Sequence, residues 1–139
     1  ITIKETTDSI DVQFYHLKFA KDGLVSARVD NFYEVCGQAQ KSIHWKHKSG
    51  LEFFQHLLRR EEKKKNGFSR SRIEKGSKED LERLLRIAKN HKPMNFEVFI
   101  VQPSLSKQAT TSSIMTLLGV TENYLREVAD IDLRVIVNE

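Results

Sequence analysis

The sequence is poor in cysteine, and it contains no long apolar run. Cys36 is the single cysteine among 139 residues, which excludes an internal disulfide framework and favours a reducing compartment. No apolar run approaches the roughly 20 residues that a membrane-spanning helix needs, and no signal-peptide pattern is present. Walker loops, dinucleotide fingerprints and CxxC pairs are missing, so nucleotide hydrolysis and a zinc finger get little support. We therefore expect a cytoplasmic protein without a membrane segment.

The composition that remains is ordinary for one globular domain, with 39% hydrophobic and 30% charged residues. At this length a domain buries about two-thirds of the surface of its unfolded chain. The chain opens on "ITIKE", without an initiator methionine and already in a strand pattern. We interpret residues 1–139 as a single domain and as a fragment of a longer protein, with an upstream strand and helix missing.

The net charge of +4 hides an asymmetry along the chain. Residues 41–92 contain sixteen Lys/Arg and seven Asp/Glu, a net +9, and the remainder carries −5. A concentrated basic region favours a polyanion partner, nucleic acid first, although solvated helix faces carry the same residues. The candidate nucleic-acid contacts are ten cations of this region and one further lysine: Lys41, Lys46, Lys48, Arg59, Arg60, Lys63, Lys64, Lys65, Arg70, Arg72 and Lys107.

Hydrophobic periodicity predicts a hairpin followed by helices in the first two-thirds of the chain. The stretches "ITIKE" and "IDVQFYHLKFA" alternate with a period of two, as β-strands do. Helical spacing in "DNFYEVCGQAQKSIHW" predicts a helix with Asp30 as its N-cap. Ser49 and Glu52 stand in capping-box register before a second helix, and "SKED" opens a third. The charged stretch "EEKKKNGFSRSRIEKG" is predicted to be a loop or a frayed helix end.

The last third predicts a strand, a helix and a strand. "NFEVFIVQP" is a buried strand that we expect Pro103 to end, and "LRVIV" is the final strand. A long helix with an apolar stripe from Ile114 to Val128 separates them. A right-handed crossover then joins parallel strands. The predicted fold class is α/β, a mixed sheet with an antiparallel hairpin and a parallel β-α-β ending, flanked by helices.

His16 and Lys18 are the polar residues that need explaining in the second strand. Alternation places both on the same face, near the carboxyl end of the strand, where polar ligands tend to lie in open α/β sheets. A buried lysine is costly without a partner, so this pair is a candidate site. The alternative is a strand near the sheet edge, where Lys18 extends to solvent.

A hairpin whose second strand ends in "HLK", followed by a helix with "GQAQK" and then by parallel strands, resembles the PD-(D/E)XK nuclease superfamily, which has the restriction-endonuclease-like fold. The stretches "FYHLKFA", "ARVDNFYEVCGQAQKSIHWK", "FIVQPSLSK" and "LLGVTENYL" are more narrowly similar to a nuclease-like domain of large bacterial proteins linked to helicases and phage defence. In the superfamily, two carboxylates hold a divalent metal, a lysine positions or activates water, and a glutamine on the next helix supports the site. The resemblance implies metal-dependent hydrolysis of DNA with Mg²⁺ or Mn²⁺, Lys18 as the lysine, and Gln38 or Gln40 as the glutamine.

The sequence departs from the superfamily pattern at the metal ligands. His16 replaces the carboxylate, and Asp8 and Asp11 lie at the hairpin turn and the strand start, so an aspartate before Ile1 would fit better. A neutral imidazole ligates Mn²⁺ or Zn²⁺ whereas Mg²⁺ prefers oxygen, which makes His16 the candidate metal ligand. Three hypotheses stay open: a metal-dependent nuclease, a catalytically degenerate nucleic-acid-binding module, and a domain that docks other parts of its parent chain.

Weaker signals have structural explanations that we favour. His44 and His47 stand at i and i+3, but a structural zinc site normally needs four ligands. Trp45 could stack on a base, although its position also fits ordinary packing. Cys36 lies on the core face of its helix and is expected to be a buried hydrophobe.

The segment "QPSLSK" follows a buried strand and carries two hydroxyls and a lysine. Ser104, Ser106 and Lys107 could grip a phosphate at the end of the sheet. A helix cap explains the same residues equally well.

Overall fold

The computed structural model describes residues 1–18, 29–63 and 71–138. Within them, strands and helices alternate much as the periodicity predicts. The strands are β1 (Thr2–Glu5), β2 (Ile10–Leu17), β3 (Met94–Ser106) and β4 (Leu133–Asn138). The α-helices are α1 (Val29–Ser42), α2 (Gly50–Glu62), α3 (Lys78–Lys89) and α4 (Ser112–Ala129). Short 3-10 helices occupy Ile43–His47 and Lys107–Ala109.

The four strands of the described residues form one mixed sheet in the order β1-β2-β3-β4. The β1–β2 pair is antiparallel and the other pairs are parallel, so the predicted α/β class is confirmed. Between β3 and β4 the register runs from Val98 opposite Leu133 to Gln102 opposite Val137. The long helix α4 makes the crossover between these two parallel strands, as the sequence indicated.

Pro103 does not end β3, and this prediction was wrong. The strand continues to Ser106, and the register with β4 shifts between Gln102 and Ser106. A proline has no N–H to donate, so it is tolerated in a strand where a bulge interrupts the ladder. The irregularity at Pro103 is such a place.

Asp30 is not the N-cap of α1, because the helix already begins at Val29. Its carboxylate lies in the first turn instead, where a negative charge complements the helix dipole. The prediction at Ser49 is confirmed, since Ser49 and Glu52 form the capping box of α2. The predicted start of α3 is confirmed as well, with Ser77 as N-cap. In the predicted loop, α2 extends to Glu62, while residues 64–70 lie outside the described part of the chain.

The chain divides into two compact units, which we call unit 1 and unit 2 and describe separately. Unit 1 comprises Ile1–Ile3, Val12–His44 and Phe96–Glu139, and unit 2 comprises Lys4–Asp11 and Trp45–Asn95. By composition, unit 2 has sixteen Lys/Arg and ten Asp/Glu, a net +6, and unit 1 has a net −2. The prediction of a single domain stays a prediction.

Unit 1 buries apolar side chains of the sheet against α1 and α4. Its fully buried residues come from both strands and helices: Val12, Phe32, Val35, Ala39, Val98, Ile100, Ile114 and Leu125. The other side of the sheet is joined by a polar chain across all four strands. Thr2 Oγ1 donates to Gln13 Oε1 (2.8 Å), Gln13 Nε2 donates to Glu97 Oε2 (2.6 Å), and Arg134 is ion-paired to Glu97 (3.0 Å). These bonds fix which residues of neighbouring strands lie side by side.

Unit 2 is built around an antiparallel pair of helices, α2 and α3, which we call the helical hairpin. The end of α2 is tied to the start of α3 by an ion pair between Lys78 and Glu62 (2.9 Å). At the opposite end, the first residue of α2, Gly50, lies directly against Ala88 of α3. Phe53 and Phe54 are fully buried in this unit.

None of the helices in the described ranges combines the length and the apolar character that crossing a bilayer would require.

Candidate functional site

The face of β2 that carries Val12, Phe14 and His16 is directed at α1. Val12 and Phe14 are buried, and the chain then becomes more exposed towards the end of the strand. His16 contacts Ser42 of α1, and Lys18, just past the strand, contacts Glu34 of the same helix. The prediction that His16 and Lys18 project on one side of the strand agrees with these contacts.

Lys18 forms a cluster with Glu34 and Gln38, which lie one turn apart in the middle of α1. The Nζ atom of Lys18 is hydrogen-bonded and ion-paired to Glu34 Oε2. The Nε2 atom of Gln38 lies 3.4 Å from the other carboxylate oxygen, Glu34 Oε1. The Lys18 side chain is 37% exposed, so it is neither buried nor free in solvent. Lys18 and Gln38, which the resemblance pairs in function, are therefore brought together by one carboxylate.

Glu34 is the functional candidate that the sequence reasoning missed. The sequence could have predicted that Glu34 lies beside Gln38, because the two residues are one helical turn apart and share a face of α1. The pairing of Glu34 with Lys18 could not be predicted from the sequence, since it depends on how α1 packs against β2. Glu34 is exposed, and its carboxylate is the negative charge paired with Lys18.

Gln40, the alternative glutamine, lies on the opposite side of α1. Its Nε2 is 3.5 Å from Thr121 Oγ1 of α4. Two residues along a helix amount to a rotation of roughly 200°, so Gln38 and Gln40 cannot face the same partner. Of the two candidates, only Gln38 accompanies Lys18.

His16 lies apart from the Lys18 cluster. Its Nε2 is 3.3 Å from Ser42 Oγ, and the Ser42 hydroxyl donates to the Ala39 carbonyl (2.7 Å). Glu34 and Ser42 are eight residues apart on α1, about 12 Å along the helix axis. The two halves of the predicted site are thus attached to points two helical turns apart.

Burial lowers the pKa of the His16 imidazole, because the charged form loses its hydration. The folded pKa then lies below the unfolded value of about 6.5, so protonation favours the unfolded state. We expect the free energy of unfolding to fall as the pH drops below about 6.5, and to lose this dependence at higher pH. Urea unfolding between pH 5 and pH 8 measures it. His16→Gln should reduce the slope of the free energy of unfolding against pH. His47→Gln, which replaces an exposed histidine, is the control. An unchanged slope in His16→Gln would contradict the assignment.

The described residues do not fit a divalent ion beside Lys18. Among them, no three His, Cys, Asp or Glu side chains come together as a ligand group. The carboxylate that contacts Lys18, that of Glu34, is ion-paired to it. Asp11 belongs to unit 2, where its Oδ1 accepts hydrogen bonds from Ser9 Oγ (2.7 Å) and Asn95 Nδ2 (2.9 Å), bonds that lower its pKa. The role of His16 as a metal ligand remains a prediction.

The predicted nucleic-acid contacts divide between the units. Lys41 and Lys107 lie exposed in unit 1, and the remaining described ones are exposed in unit 2: Lys46, Lys48, Arg59, Arg60, Lys63 and Arg72. Lys48 is ion-paired to Glu52 (3.2 Å), and the backbone N–H of Arg72 donates to Glu61 (2.9 Å). Lys64, Lys65 and Arg70 fall outside the described residues.

The helical hairpin of unit 2 carries cations at both ends. Arg59 and Arg60 occupy the last turn of α2, and Lys63 follows as its C-cap. Arg86 and Lys89 occupy the last turn of α3, which lies at the other end of the antiparallel pair. All five side chains are exposed, and in the described part of the chain none has a carboxylate as an ion-pair partner. We call these five residues the basic set.

Arg86 and Lys89 were absent from the predicted contacts, although they lie in the same basic region. Their exposure follows from the amphipathic pattern of α3, which puts Leu84 and Ala88 inside. The first turn of α3 is acidic instead, with Glu79 and Asp80, and Asp80 caps the helix through Ser77. Because the two helices are antiparallel, this acidic turn lies at the same end of the hairpin as Arg59, Arg60 and Lys63, whereas Arg86 and Lys89 lie at the other end.

The weaker sequence signals have structural roles. Trp45 packs on Phe53 (5.4 Å between ring centroids) and on His56 (4.8 Å), which favours packing over base stacking. Cys36 is 1% exposed, and burial raises the pKa of its thiol, so it behaves as a hydrophobe.

Ser106 is the N-cap of the 3-10 helix Lys107–Ala109, and its Oγ accepts from the Gln108 N–H (3.2 Å). The helix-cap explanation of "QPSLSK" therefore accounts for Ser106. The Ser104 side chain is outside the described part of the chain, and Lys107 is exposed.

Comparison with protein-family models, with curated proteins and with solved structures finds no match to this chain.

Proposed function

We propose that this chain is a nucleic-acid-binding module that needs no metal, and that its contact surface is the basic set of unit 2. The observation that carries the proposal is the exposure of five cations without carboxylate partners on one helical hairpin. Exposed cations that are already paired have little attraction left for a phosphate, whereas these five keep theirs.

The length of the hairpin suits a nucleic-acid backbone. α2 has 13 residues, which corresponds to about 20 Å between its ends. Phosphates along one strand of duplex DNA are about 3.4 Å apart along the axis, so this distance covers about six of them. Cations at both ends of the hairpin can therefore contact the same backbone.

The test is a fluorescence-anisotropy titration of labelled duplex DNA in EDTA at several salt concentrations. Five phosphate contacts predict a slope of log K against log salt near −4.5, or a loss of about 500-fold between 50 and 200 mM salt. Binding that needs added metal, or that does not respond to salt, would contradict the proposal. A flat titration would favour the docking hypothesis instead.

A nuclease of the PD-(D/E)XK type is the second candidate, and the cluster of Lys18, Glu34 and Gln38 favours it. Under this proposal, Lys18 at the end of β2 contacts the scissile phosphate and stabilises the negative charge of the transition state. Under the same proposal, the protein acts in the cytoplasm as one domain of a longer bacterial protein.

Plasmid nicking with Mg²⁺, Mn²⁺ and EDTA separates the two candidates. A nuclease should lose nicking to background in Lys18→Ala and in Glu34→Gln. Lys41→Ala, at an exposed lysine of the same helix as Glu34, should retain it. The binding module should show no metal-dependent nicking, while the EDTA titration still reports binding.

A further inference from the structure

Among the described strands, β4 is the outermost one on one side of the sheet. It pairs with β3 along one edge, and no described strand pairs with its other edge. Val135 is 37% exposed and Ile136 is 47% exposed, so apolar side chains on both faces of β4 remain accessible. The outer edge of β4 therefore offers backbone donors and acceptors next to apolar surface.

Edge strands of this kind are usually protected, and in the part of the chain that the structure describes no segment pairs with or covers the outer edge of β4. The common devices are a lysine or proline on the edge, a bulge, or a covering segment. Between Leu133 and Val137 there is no proline, lysine or glycine, and the register with β3 is regular. The one charge, Arg134, is ion-paired to Glu97 (3.0 Å) and lies over the Phe99 ring (5.5 Å) within its own chain.

An apolar groove continues from β4 onto α4. It encloses about 730 Å³ and is lined by residues of both elements, among them Met115, Leu118, Gly119, Leu133 and Val135. Met115 is 59% exposed, and nothing lies within 4 Å of where a Cβ on Gly119 would be. The groove is therefore open beside the free strand edge.

We propose that a second copy of this chain covers the edge, with the two β4 strands paired antiparallel about a two-fold axis at Val135. A symmetric dimer needs a surface that is complementary to itself. A strand edge meets this condition because its backbone N–H groups donate hydrogen bonds and its C=O groups accept them. Residues directly opposite in an antiparallel pair share a face, so the axis must pass through a residue position. An axis at Arg134 would place two like charges opposite each other. An axis at Val135 instead places Leu133 opposite the partner copy's Val137 and Arg134 opposite its Ile136.

The charges that line the groove agree with an antiparallel partner. Lys107 follows β3 at the end of the sheet where Ser106 pairs with Asn138. Glu122 lies ten residues into α4, about 15 Å along the helix from Ser112. Glu122 is ion-paired to Arg126 (3.2 Å), which also binds Asp132 (3.0 Å), so these three side chains together carry a net charge of −1. Antiparallel pairing brings Lys107 of one copy towards this net negative cluster of the other.

Disulfide trapping tests the position of the axis. The native thiol of Cys36 is buried, so a new cysteine is the accessible one. Val135→Cys should form a covalent dimer under mild oxidation, because residue 135 lies opposite itself. Val120→Cys is the matched control, since Val120 is 57% exposed on α4 but does not line the groove. Trapping at residue 120 and none at residue 135 would overturn the proposal.

Light scattering of the eluted protein over a range of concentrations supplies the second measurement. The unmodified chain should be a dimer at micromolar concentration. Val135→Lys should weaken dimerisation by 100-fold or more, while Val120→Lys leaves the dimer intact and both variants keep the circular-dichroism spectrum. A monomeric unmodified chain, or a dimer that survives Val135→Lys with its spectrum unchanged, would contradict the proposal.

Discussion

The triple variant Arg59→Gln, Arg60→Gln, Lys63→Gln is expected to bind duplex DNA about 100-fold more weakly than the unmodified chain at 0.15 M salt. Each phosphate contact contributes a slope of about −0.9, which at this salt concentration amounts to about fivefold in affinity. Three such contacts multiply to about 100-fold. The three residues are exposed at the end of α2, and within the described ranges none of them is ion-paired to a carboxylate.

The control for this variant removes the same net charge from cations that are already paired. Lys78, Arg126 and Arg134 are bound to carboxylates at 2.9–3.2 Å. Their replacement by glutamine should change the affinity only a few-fold if the unpaired cations make the contacts. Arg59 and Arg60 also complement the dipole of α2, so unfolding should be followed in parallel, with an expected cost of about 0.3–1 kcal/mol for each. Equal losses in both triple variants would mean that only net charge matters.

Gly50→Ala is expected to lower the free energy of unfolding by about 1–3 kcal/mol. A Cβ at this position would lie 2.8 Å from the Ala88 Cβ and 2.7 Å from the Met94 Sδ. The methionine can move aside, but Ala88 is fixed in the backbone of α3, so α2 must shift away from it. Because the hairpin holds the basic set, DNA binding should weaken in proportion to the unfolded fraction and not beyond it.

Gly37→Ala is the matched control for Gly50→Ala. Gly37 lies inside α1, and nothing is within 4 Å of its missing Cβ. Alanine there should raise the stability by about 0.5–1 kcal/mol, since glycine loses more backbone entropy in a helix. Urea unfolding followed by circular dichroism compares the two. A Gly50→Ala variant at least as stable as the unmodified chain would contradict the close packing at this end of the hairpin.

Local patterns predicted the elements well, because they depend on residues that are near in sequence. Ser49 and Glu52 form the capping box that their spacing indicates, and the period of two in β2 puts Val12 and Phe14 inside. The error at Pro103 arose because a proline stops a regular ladder but not a strand with a bulge, and a bulge depends on the neighbouring strand.

The sequence predicted only part of the candidate site, because the site depends on contacts between segments that are distant in sequence. Lys18 was singled out because a buried lysine would need a partner; its side chain is 37% exposed, and it is paired with Glu34, 16 residues away. The helical period separates Gln38 from Gln40, but only the packing of α1 on β2 decides which of them accompanies Lys18. His16 was expected beside Lys18, and it contacts Ser42 two helical turns from Glu34.

The salt dependence of DNA binding in EDTA, compared between the unmodified chain and the Arg59, Arg60 and Lys63 triple variant, is the most direct test of the proposed binding module. For the unmodified chain, the account predicts a steeply negative slope of log K against log salt concentration. For the variant, the magnitude of this slope should be smaller by about 2.7, since each removed contact accounts for about 0.9. Identical slopes for the two proteins, or no binding until a divalent metal is added, would contradict it.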